Sequence, residues 1–186
     1  MDSCASLISS NPVAVMAENV HVSLVTAARG GDRAAFGKLY EQYAKMVHAI
    51  LLARVPRDDV DDLTQDVFLR AMRKLKSLRD PDSFGPWISA IARNRAADFH
   101  RYAHETAELT EEPVRENPAL PEALSVLRII RSLPEAYQET LVMRLVEGMT
   151  GPEIAVMTGI TPDSVRVNLH RGMKMLREQL NREVPR

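Results

Sequence analysis

Arg166, His170, Arg171 and Lys174 crowd one stretch near the end of the chain. At helical spacing, Asp163, Val167, His170, Arg171 and Lys174 share one face, with Arg166 at its edge. Side chains of this kind hold phosphate oxygens, and an arginine fork also pairs with guanine edges. The opposite face carries Val165, Leu169, Met173 and Leu176, an apolar stripe for burial. Just upstream, Thr150 and Glu153 stand three apart, the reciprocal capping pattern of a helix start. Ile154 and Ala155 face inward, and Thr158-Gly159-Ile160 reads as a turn. Thr161 can cap the next helix, with Pro162 at its first position. The pattern is a helix-turn-helix whose second helix suits a DNA major groove. The bland alternative is a three-helix bundle with a solvated basic face.

Two further clusters could do chemistry. Arg93, Asn94, Arg95, His100 and Arg101 share a helical stretch with Trp87, Phe99 and Tyr102. Cations interleaved with aromatics can grip a backbone and receive an unstacked base. Trp87 and Phe99 read rather as core, leaving Asn94 and Arg95 as the stronger DNA candidates. In the second cluster, Asp61, Asp62 and Asp66 precede Arg70, Arg73 and Lys74 on one helix. That order suits the helix dipole and by itself needs no function.

The elements that must position these groups are helical almost throughout. A short helix over 22–29 ends at Gly30-Gly31. Asp32 caps a long one to about Arg54, with Phe36, Leu39, Tyr40, Tyr43, Val47, Ile50 and Leu51 as its buried stripe. His48, beside that stripe, reads as a packed histidine. A helix from Pro56 to about Leu78 buries Val60, Leu63, Val67, Phe68, Ala71, Met72 and Leu75. Another runs from Phe84 to about Tyr102. Helices near 122–132, 134–147, 151–157 and 162–180 follow. The expected fold is all-α: two small helical domains, each of about four helices, over 22–104 and 122–182. A flexible, acidic, proline-containing linker over 105–121 joins them, and 1–21 forms a flexible tail. Met16 is a second candidate start beside Met1.

Formal net charge is −1 over 186 residues, so no global positive field marks a nucleic-acid partner. The charge is segregated instead. Five basic residues and no acid lie between Arg70 and Arg79, and six glutamates against one arginine lie between Glu105 and Glu122. Attraction to phosphate is local at physiological salt, so segregation matters more than the total. A single cysteine, Cys4, excludes an internal disulfide and a cysteine-based zinc site. No apolar run approaches the ~20 residues of a membrane span, and Asp2 stands where a signal peptide would carry basic residues. The five histidines are too scattered for a metal site, and no glycine-rich phosphate loop is present. No enzyme, metal or cofactor is expected, nor direct membrane insertion.

Three motifs, in order, resemble one family. The run 61–70, Asp-Asp-Leu-Thr-Gln-Asp-Val-Phe-Leu-Arg, resembles the core-polymerase-binding helix of bacterial sigma factors. The run 84–94, Phe-Gly-Pro-Trp-Ile-Ser-Ala-Ile-Ala-Arg-Asn, resembles the −10-reading helix of their extracytoplasmic-function (ECF) group. Leu133-Pro134-Glu135, Val146-Glu147-Gly148-Met149 and Leu169-His170-Arg171-Gly172 resemble that group's −35-reading domain. The resemblance spans about Leu24 to Leu180. It implies a cytoplasmic transcription initiation factor that binds core RNA polymerase, reads −10 and −35 promoter elements and assists melting. It assigns Asp62, Gln65, Asp66, Leu69 and Arg70 to a coiled-coil of the polymerase's largest subunit, with the flap region as a second polymerase contact. Ser83, Arg93, Asn94, Arg95 and Arg101 go to −10 DNA, where the loop 77–83 resembles one that captures a flipped base. Asp163, Ser164, Arg166, Val167, His170, Arg171 and Lys174 go to −35 DNA. An anti-sigma factor is the implied regulatory partner, and the linker would thread toward the RNA exit path. Pro86 departs from the family, which often has arginine there, and so do Arg166, Val167 and Asn168, where Lys, Ser and Arg are frequent. Two other readings stay open on the residues alone: a stand-alone helix-turn-helix regulator with an N-terminal sensing or dimerisation domain, and an interaction protein whose helical clusters bind only proteins.

Overall fold

The computed structural model describes residues 12–107 and 122–183; positions 1–11 of the expected tail and 108–121 of the expected linker lie outside it. Every described element is helical. In order they are α1 (Pro12–Arg29), α2 (Arg33–Leu52), α3 (Val60–Lys74), α4 (Phe84–Ala107), α5 (Glu122–Ser132), α6 (Glu135–Leu145), α7 (Gly151–Thr158) and α8 (Pro162–Glu183). Single 3₁₀ turns stand before α3, after it, and before α4. Helix α1 begins well before the Val22 expected from sequence.

Local chemistry explains the boundaries. The Asp32 carboxylate accepts from the amides of Ala34 and Ala35, which fixes the start of α2. Gly31 makes the preceding turn at φ 101°, a conformation that costs a side chain dearly. Asp80 caps the 3₁₀ turn before α4, accepting from the amide of Asp82. Thr150 and Glu153 form the reciprocal capping box, and Gly159 ends α7 at φ 73°.

Helices α1 to α4 pack around Leu39, Val47, Ile50, Val67, Phe84 and Ile88, all fully buried. Helices α5 to α8 pack around Ile130, Leu141, Met143 and Ile154. Helices α6 and α8 cross closely at Gly172, where a Cβ would stand 3.0 Å from Leu141 Cδ1. The two clusters also touch: α2 packs on α6 and α7, and α4 packs on α7. No described helix is long and apolar enough to cross a membrane.

Candidate nucleic-acid interface

The helix-turn-helix forms as its residues imply. The Thr161 hydroxyl accepts from the Ser164 amide at 3.2 Å and starts α8. Val165 and Leu176 are buried, and Leu169 and Met173 are half-buried against the same core. Asp163, Ser164, Arg166, Val167, His170, Arg171 and Lys174 are all exposed. Arg166 makes one exposed contact, with Asp163 at 3.2 Å one turn back. Such pairs contribute little and are readily exchanged for a phosphate or base edge. The whole sequence-derived set on α8 is thus brought onto one accessible surface.

The set on α4 is not presented in the same way. Ser83 donates to the Asp80 carboxylate at 2.7 Å and tightens the loop before α4. Asn94 is exposed, whereas Arg95 is half-buried and donates through Nε to Asp66 at 2.5 Å. Arg70 joins the same carboxylate at 3.1 Å from one turn along α3 and reaches Asp98 at 3.4 Å. Arg101 pairs with the other oxygen of Asp98. Burial alone would raise the Asp66 carboxyl, but hydrogen bonds from Arg95 and Arg70 hold it below the usual range. This chain of charges ties α3 to α4. Arg93 points elsewhere: its Nε and Nη2 each donate at 2.8 Å to the two oxygens of Glu139 on α6.

On α3, Asp62, Gln65 and Leu69 are exposed, and Asp66 and Arg70 are half-buried in the network just described. Leu69 has company that the sequence pattern concealed. Tyr40 and Met72, both expected in buried stripes, are 40% and 48% exposed, close to the 49% of Leu69. With Phe36, Gln65 and Phe68 they line a shallow apolar groove, the kind of surface that marks a protein partner. Exposed apolar residues at i and i+3 on an otherwise charged helix were the available signal.

Sequence reasoning missed the groups that join the two clusters. Glu139 is buried at 9% exposure and accepts from Arg54 as well, at 2.8 and 3.2 Å. Burial pushes its carboxyl up, but the hydrogen bonds from Arg93 and Arg54 more than offset this and hold it low. Arg131 of α5 donates to the carbonyls of Leu52 and Val55, satisfying acceptors at the end of α2. His48, expected to be packed, is half-buried, and its Nδ1 meets Glu147 across the junction at 2.6 Å.

The hydrogen bond to Glu147 is the main reason the His48 pKa is raised, with Asp61 adding to it against burial and Arg57. A histidine whose folded pKa lies above its unfolded value stabilises fully below about 6.5, and loses that contribution as pH rises through the folded value. His21, lowered by burial, acts in the opposite sense and costs stability as pH falls below about 6.5. Thermal unfolding of His48→Gln against the parent should therefore show a stability difference that is largest at mildly acid pH and fades as pH rises. A difference that does not change with pH would leave Glu147 without this role.

Comparison with known proteins follows the same division. Residues 39–106 match the family model described as Sigma-70 region 2, and residues 123–176 match Sigma-70, region 4. The ECF RNA polymerase sigma-E factor of Escherichia coli (strain K12) is 31% identical over 172 residues, covering 82% of this chain and 90% of that protein. Among solved structures, CnrH in complex with the cytosolic domain of CnrY superposes with a TM-score of 0.60 at 25% identity, covering 89% of this chain and 99% of that one. The sigma factor RpoE, in complex with the anti-sigma factor NepR from Bartonella quintana, shares the fold with a TM-score of 0.53 at 19% identity, covering 81% and 98%.

Proposed function

The chain belongs to the extracytoplasmic-function group of the sigma-70 family, and from that premise we propose how its surfaces divide the work of initiation. It is a transcription initiation factor, not an enzyme: it binds core RNA polymerase and directs it to promoters. One observation carries the division of labour. Two sigma regions lie in order along the chain, and the second presents its cations on the exposed face of a helix-turn-helix.

On this reading residues 22–104 form the −10 and polymerase-binding unit, and 122–182 the −35 unit. Asp62, Gln65, Asp66, Leu69 and Arg70 meet the coiled-coil of the largest polymerase subunit, and Tyr40 and Met72 extend that contact with apolar area. Ser83, Arg93, Asn94, Arg95 and Arg101 serve the −10 element, where cations hold the strand while a base is unstacked. Arg166, with Asp163, Ser164, Val167, His170, Arg171 and Lys174, serves the −35 duplex: early residues read base edges and later ones hold phosphates. The α5–α8 cluster also meets the polymerase flap, and the acidic linker runs toward the RNA exit path. Work on promoters places the protein in the cytoplasm with the polymerase. An anti-sigma factor is its regulatory partner, in keeping with the complex that RpoE makes with NepR.

Run-off transcription tests the reading. Purified bacterial core polymerase, with and without this protein, is given a pool of genomic promoter fragments. Discrete transcripts that require the protein are expected, with −35 and −10 motifs shared upstream of their starts. No transcript and no polymerase binding would return the chain to the stand-alone regulator.

A further inference from the structure

His21 of α1 has no part in the contacts proposed above, yet it sits beneath one of them. Helix α1 lies along both ends of the loop 77–83: it packs on the 3₁₀ turn Leu75–Ser77 at its start and on the turn Pro81–Ser83 at its end. The inner face of α1 there carries Val25, fully buried, and His21 one turn earlier. The His21 ring lies tilted against Tyr43 of α2, centroids 5.6 Å apart, and meets Phe84 edge to face at 6.1 Å. One imidazole thus joins α1, α2 and the residue that follows the turn.

The polar side of this contact is thin. Nε2 stands 3.4 Å from the Tyr43 hydroxyl, and Nδ1 is buried with no hydrogen-bond partner among the described residues. Gln42 of α2 and the backbone of Pro81 are further polar neighbours, and Asp82 on the turn is the acid that faces the ring. Tyr43 supplies no charge, because burial pushes its phenol up to about 12. A protonated imidazole has two N–H donors and no acceptor. Seated here, one of those donors would be buried, charged and unpaired, which is costly. Asp82 is exposed, so water and salt screen its pull. Burial wins, and the His21 pKa lies below its usual value.

We infer that His21 is a positioning residue for the −10 loop: neutral, it wedges α1 against Tyr43 and Phe84 and holds the turn Pro81–Ser83 ready for a base; protonated, it leaves that seat and loosens the turn. Resting on the proposed capture of a −10 base by the loop 77–83, this role makes −10 recognition sensitive to acid. A seated ring takes a proton less readily than a free one. The seated form is therefore fully favoured above about pH 6.5 and loses ground as pH falls below it. A turn that must first be re-ordered gives up part of what capture of the base gains.

The test uses holoenzyme assembled from this protein and core RNA polymerase, with the fluorescent −10 strand of a promoter mapped by run-off transcription. Abasic sites placed along the strand locate the captured base at about pH 7.5, well above the free histidine value: one position should cost the most affinity. In the parent that penalty should shrink by about three- to tenfold at about pH 5.5, one pH unit of differential protonation being worth at most a factor of ten. Penalties at the other positions should stay as they are, which a general loss of stability would not allow. His21→Ala should lack the discrimination at both pH values. His21→Phe keeps a ring against Tyr43 and Phe84 and takes no proton, so it should restore the discrimination and hold it across pH. Circular dichroism shows whether each variant keeps its helices, and His21→Phe decides the matter where His21→Ala does not fold. An unchanged penalty at acid pH in the parent, or the same fall in His21→Phe, overturns the inference while base capture stands. No abasic position standing out at neutral pH rejects base capture itself, and the inference falls with it.

Discussion

Replacing Phe84 with alanine is expected to lower the unfolding free energy by about 3–5 kcal/mol, the range for a fully enclosed phenylalanine. Phe84 is 0% exposed and is the first residue of α4. Its ring lies 5.0 Å from Tyr43, 5.7 Å from Trp87 and 6.1 Å from His21, so it joins α1, α2 and α4 at one point. Truncation leaves an aromatic-sized void among partners anchored on three helices, so little of it can collapse. Urea unfolding followed by circular dichroism measures the loss. Val156→Ala, at a residue 75% exposed, is the control and should stay within about 0.5 kcal/mol. A loss under about 1 kcal/mol for Phe84→Ala would mean that the α1–α4 core repacks around the gap, contrary to the shared anchoring.

The expected result bears on function because of where the ring sits. The turn Pro81–Ser83 leads straight into Phe84, and α1 packs against that turn. Ser83 and Asp80 fix the turn locally, and the turn is held between α1, which packs against it, and the buried phenylalanine that follows it in the chain. A loop proposed to receive an unstacked base needs a fixed floor, since stacking is worth only ~1–3 kcal/mol per base. A slack floor would spend that margin on ordering the loop.

What the sequence disclosed and what it hid divide along a physical line. Helix starts were legible because caps are local: Asp32, Thr150 with Glu153, and Thr161 each act within three residues. The basic face of α8 was legible because an exposed face needs no knowledge of tertiary partners. The stripes failed at Tyr40 and Met72, where helical period puts a residue on the inner side but the neighbouring helix does not reach over it. Tyr40 instead packs at a tilt against Phe68, centroids 4.6 Å apart, at the rim of a groove. Arg93 and Arg95 were read as free cations because their partners, Glu139 and Asp66, lie 46 and 29 residues away. The contact of His48 with Glu147 was hidden for the same reason, the two lying 99 residues apart. Glu139 looked like one acid in an ordinary helix. Nothing local distinguishes a solvated glutamate from one buried between two arginines.

On the −35 side, Arg166→Ala is expected to relax promoter choice by about 5- to 150-fold at the base pair it reads, the equivalent of ~1–3 kcal/mol for a bidentate contact to guanine. The position of Arg166 argues for a base contact. It lies in the second turn of α8, in the N-terminal part that a recognition helix presents to base edges. Its side chain is 78% exposed and pairs with Asp163 one turn back, which steadies it without consuming it. In the proposed docking Lys174, two turns further on and exposed, meets the DNA backbone instead. Its removal should weaken binding evenly across sequences and lower the salt dependence by about one counterion. The two variants thus make opposite patterns on a randomised −35 library read by run-off transcription: a flattened preference at one position for Arg166→Ala, and an unchanged preference with lower overall yield for Lys174→Ala. In the same proposed docking Val167, 40% exposed beside Arg166, meets a thymine methyl at the adjoining pair. An unchanged profile for Arg166→Ala, with polymerase binding intact, would shift the base-reading register of α8 to its neighbours.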